Sequence, residues 1–158
     1  MDPRTARRLR KPYRDHYREC QYSWALQQFG VMSVPWDWAH ERSPLKHLPL
    51  AYELDHIYGK RGQACDFEVS INWMTSCHVA HMWKTNNTTL GRITAIWCKL
   101  RLRKIGLDSF SHFDRDGIRA IWGRDPIGML QVWLETEELP EWARLMALDA
   151  IEMNDGES

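Results

Sequence analysis

Asp55-His56 is followed 16 residues later by Asn72 and nine residues after that by His81, with Cys77, Lys84 and Thr85 close to the last of these. Hydrolysis of a phosphodiester needs a water made nucleophilic, an oxyanion whose growing charge is neutralised and a leaving oxygen that can depart. His56 suits the general base, Asp55 and His81 suit ligands of a divalent ion, and Asn72 either holds His56 and the backbone in register or touches the ion. Two protein ligands leave positions for water and phosphate, which fits Mg²⁺ or Mn²⁺, and the nitrogen donor also admits Ni²⁺ or Co²⁺. Lys60, Arg61 and Lys84 are cations that contact phosphate without reading base sequence.

The elements around these residues form a small ββα unit. Residues 50–57 read as a strand with Tyr52, Leu54 and His56 on alternate positions, the run YGKRGQ as a turn, and Phe67, Val69 and Ile71 as a second strand ending near Asn72. Consecutive strand residues point to opposite faces, so Asp55 and His56 are not expected to meet the ion symmetrically. A helix over about 76–84 puts Cys77, His81 and Lys84 or Thr85 on one side. So small a unit buries little surface, and flanking helices must supply much of the stability.

Those flanks are legible. Leu9, Tyr13 and Tyr17 are spaced to order a basic N-terminal arm, and a short helix continues through Tyr22, Leu26 and Phe29 to Gly30. A Pro- and Trp-containing connector follows, with Trp36 and Trp38 expected against the core. Residues 88–104 show a stripe of Leu90, Ile93, Trp97 and Leu100 ahead of Gly106, with Arg92, Lys99 and Arg103 on the other side and Arg101 nearby. A short helix is expected around 116–122. Asp125-Pro126 has the form of a helix cap with proline at the first position, and Pro140 starts a final helix reaching Met153.

The central residues resemble the HNH, or His-Me finger, endonucleases, and the run DHIYGKRG is similar to variants in small phage and prophage nucleases. The resemblance covers roughly residues 50–87 and implies an α+β fold with a compact ββα-metal core embedded in an α-helical domain. The organisation expected is 1–49 basic arm and connector, 50–87 core, and 88–158 helical region packed on the core as a single domain. It implies a metal-dependent DNA endonuclease with Asp55 and His81 as metal ligands, His56 as base and Asn72 as the central asparagine. The chain departs from the family at its zinc knuckles: Cys77 is followed at the second-Cys position by Ala80, and the upstream candidate is Cys20-Gln21-Tyr22-Ser23. A structural zinc normally needs four close ligands, so loss of Zn²⁺ is the expectation.

Composition leaves that reading standing. The net charge of zero hides unlike ends: seven Arg and Lys against three acidic residues in the first 20, and eight acidic residues against Arg144 from Glu135 onward. Arg7, Arg8, Arg10 and Lys11, with Arg92, Lys99 and Arg103, are candidates for DNA contact, although the same groups also serve as a solubilising surface or as partners of the acidic C-terminal region. No apolar run suits a membrane span or a signal peptide, which points to a cytoplasmic protein, in the host cytoplasm if phage-encoded. The partners expected are DNA and, as open possibilities, a second copy of the chain or a viral DNA-processing protein. The rival readings are an inactive DNA-binding or assembly protein on an HNH frame and a structure-selective nickase or junction nuclease. RNA cleavage also stays open, because the mechanism needs no 2′-hydroxyl.

Overall fold

The computed structural model describes residues 2–31, 50–58, 70–106, 119, 123 and 125–156. Phe67, Val69, Trp36, Trp38, Cys65, Lys60, Arg61 and the helix expected over 116–122, Arg119 excepted, lie outside the described residues. The described chain is largely helical with one two-stranded antiparallel sheet, an α+β arrangement. Its order is α1 (Pro3–His16), α2 (Gln21–Gln27), β1 (Glu53–His56), a 3-10 turn (Ser70–Asn72), β2 (Trp73–Ser76), α3 (His78–Asn86), α4 (Thr88–Lys104), α5 (Pro126–Thr136) and α6 (Glu141–Asp155).

The N-terminal arm is a helix that carries Pro12 in its interior. Asp2 caps it by accepting from the Arg4 amide, Pro3 occupies the first turn, and Tyr13 anchors it as a fully buried ring. The helix stops at Tyr17, and residues 17–20 separate it from α2. This connector does structural work: Glu19 pairs with Leu50 and the Ala51 amide donates to the Arg18 carbonyl, so the chain entering β1 is held beside α1.

α4 was expected to bury one stripe and expose a basic side. Instead Ile93 through Leu100 are all buried, because α2, α3, α5 and α6 pack around it. A helix enclosed from several directions becomes the centre of the core, here with Tyr22, Ile96, Leu130, Met146 and Ala150. The Asp125 cap, Pro126 and Pro140 start α5 and α6 where the sequence placed them. No helix among the described residues is long and apolar enough to cross a membrane.

The hairpin corrects one boundary. Ile71 and Asn72 do not end the second strand but lie in the 3-10 turn that precedes it, and β2 begins at Trp73. The register pairs Glu53 with Ser76, Leu54 with Thr75, Asp55 with Met74 and His56 with Trp73. Directly opposed residues share a face, so Leu54, His56, Trp73 and Thr75 form one side, and Glu53, Asp55, Met74 and Ser76 the other.

Candidate active site

Asp55 and His81 meet. β1 carries Asp55 on the side facing α3, and one turn into α3 His81 directs Nε2 to Asp55 Oδ1 at 3.1 Å. Lys84, one turn further, brings Nζ within 3.3 Å of Oδ1 and 3.2 Å of Oδ2, and donates to the His56 carbonyl at 2.8 Å. The i, i+3 spacing of His81 and Lys84 puts both over the same strand. Gly91, in the first turn of α4, is what lets Lys84 run there, since any side chain at that position would strike the Lys84 Cγ.

Two further residues complete the cluster, and neither was singled out from sequence. Glu53, two positions before Asp55 and therefore on the same face, takes His81 Nδ1 on Oε2 at 2.8 Å and His78 Nδ1 on Oε1 at 2.9 Å. That period-two relation was the available signal. The buried Tyr22 hydroxyl of α2 donates to Asp55 Oδ2 at 2.6 Å, and a partner 33 residues away leaves no local signature.

The electrostatics follow from these contacts. Hydrogen bonding to Asp55, opposed by burial and reinforced by Glu53, raises His81 to about 9, so it is an imidazolium at neutral pH. Burial would raise Asp55, but His81, Lys84 and Tyr22 outweigh it and hold the carboxyl below its ordinary value. Glu53 is likewise lowered, as His78 and His81 overcome its burial. Burial first, and then the Asp55 charge, push Tyr22 well above the usual phenol range, which keeps it a donor.

Asn72 lies away from this cluster's direct contacts. It is fully buried, with Oδ1 accepting from the Tyr58 amide at 3.0 Å and Nδ2 donating to the Tyr58 carbonyl at 3.1 Å. Its own carbonyl accepts from the Ile57 amide at 2.8 Å. These bonds fix the chain just beyond His56. His56 itself is half-buried at the last position of β1, on the face opposite Asp55.

The donor set was tested against a divalent ion. Asp55 Oδ1 and His81 Nε2, 3.1 Å apart, match neighbouring corners of an octahedron, which lie roughly 3 Å apart for bonds of ~2.1 Å. Glu53 holds the other ring nitrogen, the arrangement that orients a ligating histidine. The two residues therefore fit an open site, provided His81 loses its proton and the Lys84 ammonium moves off the carboxylate. Among the described residues no group of three His, Cys, Asp or Glu is arranged to hold a metal.

The knuckle positions also converge. Cys20 and Cys77 are buried in the same core, Ser23 donates its amide to Cys20 Sγ at 3.4 Å, and Ala80 is buried there too. Burial, then Cys77, pushes the Cys20 thiol well above its ordinary value, as expected of an inert packed thiol.

Among the basic candidates, Arg7, Arg8 and Lys11 are exposed and Arg10 and Arg103 are partly so. Lys99 does not belong with them: it is fully buried, donating to the Tyr13 hydroxyl at 2.7 Å and the Ser70 carbonyl at 3.0 Å. Packing of α2, α3, α5 and α6 around the middle of α4 turned an expected surface cation into a core one. Arg92 is half-buried with its guanidinium 4.1 Å over the Tyr58 ring. No family model, curated protein or solved structure matches the chain.

Proposed function

We propose that the protein is a divalent-metal-dependent endonuclease that hydrolyses DNA phosphodiester bonds. The observation that carries the reading is the convergence of Asp55 Oδ1 and His81 Nε2 at 3.1 Å, from a strand and a helix, with His56 following Asp55 in the chain. In this reading His56 accepts a proton from the attacking water, the new oxygen–phosphorus bond forms, and the 3′ oxygen departs with a proton taken from solvent. The products are 5′-phosphate and 3′-hydroxyl ends. An ion held by Asp55 and His81 would supply positive charge at the phosphate oxygens. Asn72 holds the backbone beyond His56, Glu53 orients His81, and Lys84 is a cation able to pass from Asp55 to an incoming phosphate.

One set of contacts favours a second reading, a DNA-binding or assembly protein that performs no cleavage. Asp55 is already neutralised internally by His81, Lys84 and Tyr22, and an ion must displace part of that network. The test is to incubate the protein, His56→Ala and His81→Ala with supercoiled, linear, single-stranded and branched DNA in Mg²⁺, Mn²⁺, Ni²⁺ or chelator. Cleavage abolished by chelation and by His56→Ala supports the nuclease, and preferential cutting of branched DNA would specify a junction enzyme. Binding with no His56-dependent cleavage in any metal puts the second reading first.

A further inference from the structure

α1 presents a basic stripe that the Asp55–His81 centre does not use. Arg7, Arg10, Lys11 and Arg14 recur at i, i+3, i+4 and i+7 and so share one helical side, with Arg18 just past the helix end. They line a groove of about 620 Å³ with Asp15 as the acidic residue among them. The opposite wall is different in kind: Leu50, Ala51, Tyr52 and Leu54, the segment leading into and along β1. The walls are fastened together, because Arg14 donates to the Tyr52 carbonyl at 2.7 Å and Ala51 donates to the Arg18 carbonyl at 2.7 Å. Tyr52 is 61% exposed at the groove.

The geometry points to a binding site for single-stranded nucleic acid in this groove, its phosphates along the α1 cations and a base stacked on Tyr52. A cationic wall alone would suit any polyanion. A cationic wall facing an apolar one with an exposed aromatic ring suits a chain that has charged phosphates on one edge and flat apolar faces on the other. Duplex DNA keeps its base faces hidden and would leave the Leu50–Tyr52–Leu54 wall uncovered, and an acidic peptide has nothing flat to set on the ring. Leu54 shares its strand face with His56, so a strand lying in the groove runs toward the residue assigned as base. The site itself uses neither Asp55 nor His81 and stands whether or not the chain cleaves.

The test measures binding in chelator, where no cleavage occurs, by the fluorescence anisotropy of a labelled oligothymidylate of about 15 nucleotides. A duplex of equal length and polyglutamate serve as competitors. With roughly four phosphates neutralised at a slope of ~0.7 each, affinity falls about 50-fold between about 50 and 200 mM salt. Arg7→Ala combined with Arg18→Ala lowers the slope by about 1.4, two phosphates' worth. Tyr52→Ala weakens binding on the order of ten-fold with the slope unchanged, while Tyr52→Trp retains it. Tyr52 is exposed, and matched melting curves confirm that the variants fold. Duplex binding equal to or tighter than the single strand, equal displacement by polyglutamate, or wild-type affinity in Tyr52→Ala overturns the proposal. Binding is read in chelator and cleavage in metal, so loss of groove binding and loss of cleavage are read separately.

Discussion

Replacing Asn72 by alanine separates a structural role from a metal-binding one. The side chain is fully buried and closes a ring with the Tyr58 peptide, donating to its carbonyl and accepting from its amide. Alanine removes both of these hydrogen bonds to the Tyr58 peptide, each buried bond lost costing about 1–3 kcal/mol. The expected loss is roughly 2–6 kcal/mol, a large share of the ~5–15 kcal/mol that stabilises a typical domain. With a urea dependence of ~2 kcal/mol per molar, a loss near 3 kcal/mol moves the unfolding midpoint down by about 1.5 M. Asn72→Asp turns a carboxylate oxygen onto the Tyr58 carbonyl and buries an unpaired charge, and should cost at least as much as alanine at neutral pH. Mn²⁺ binding, followed by calorimetry at a temperature where the variant is folded, should be unchanged, because the amide has both ends on Tyr58. A midpoint within about 0.3 M of native, or weakened Mn²⁺ binding with unchanged stability, would refute this reasoning and make Asn72 a ligand.

Stability should fall at both ends of the pH scale. His81, raised to about 9, contributes fully below its unfolded value of 6.5 and loses that contribution as pH climbs through about 9. Asp55 and Glu53 are lowered, so their contributions hold above their unfolded values and vanish as pH drops. Urea midpoints across pH check this, and His81→Gln should flatten the alkaline limb. Tyr13→Phe removes the hydroxyl that receives the buried Lys99 ammonium and donates toward Gln21 Oε1 and the Trp73 carbonyl, and should cost about 2–4 kcal/mol in urea unfolding. Gly91→Ala should gain up to about 1 kcal/mol of helix propensity but push Lys84 off Asp55. Its signature is a lowered His56-dependent cleavage rate, or tighter Mn²⁺ binding if Lys84 competes with the ion. Ser23→Cys with Ala80→Cys restores the second thiol of each knuckle three residues after the buried Cys20 and Cys77, and should gain one tightly bound Zn²⁺ per chain with a higher melting temperature. Metal analysis after dialysis that finds no added zinc would refute that geometry.

The linear chain determined what local chemistry determines. Asp125-Pro126 and Pro140 set their helix starts because capping and a fixed proline φ act within one turn. The spacing of His81 and Lys84 put both on one helical side over a strand bearing Asp55, since helix and strand periods are properties of the backbone alone. Tertiary structure decided the rest. Asn72 proved to be a clasp on Tyr58 because a 3-10 turn, rather than a strand end, precedes β2. Lys99 passed from surface to core because helices on several sides enclosed α4, and no period along one helix reports how many neighbours it will have. Tyr22 reached Asp55 across 33 residues for the same reason: a partner chosen by packing is fixed by where two elements meet, which neither element encodes by itself.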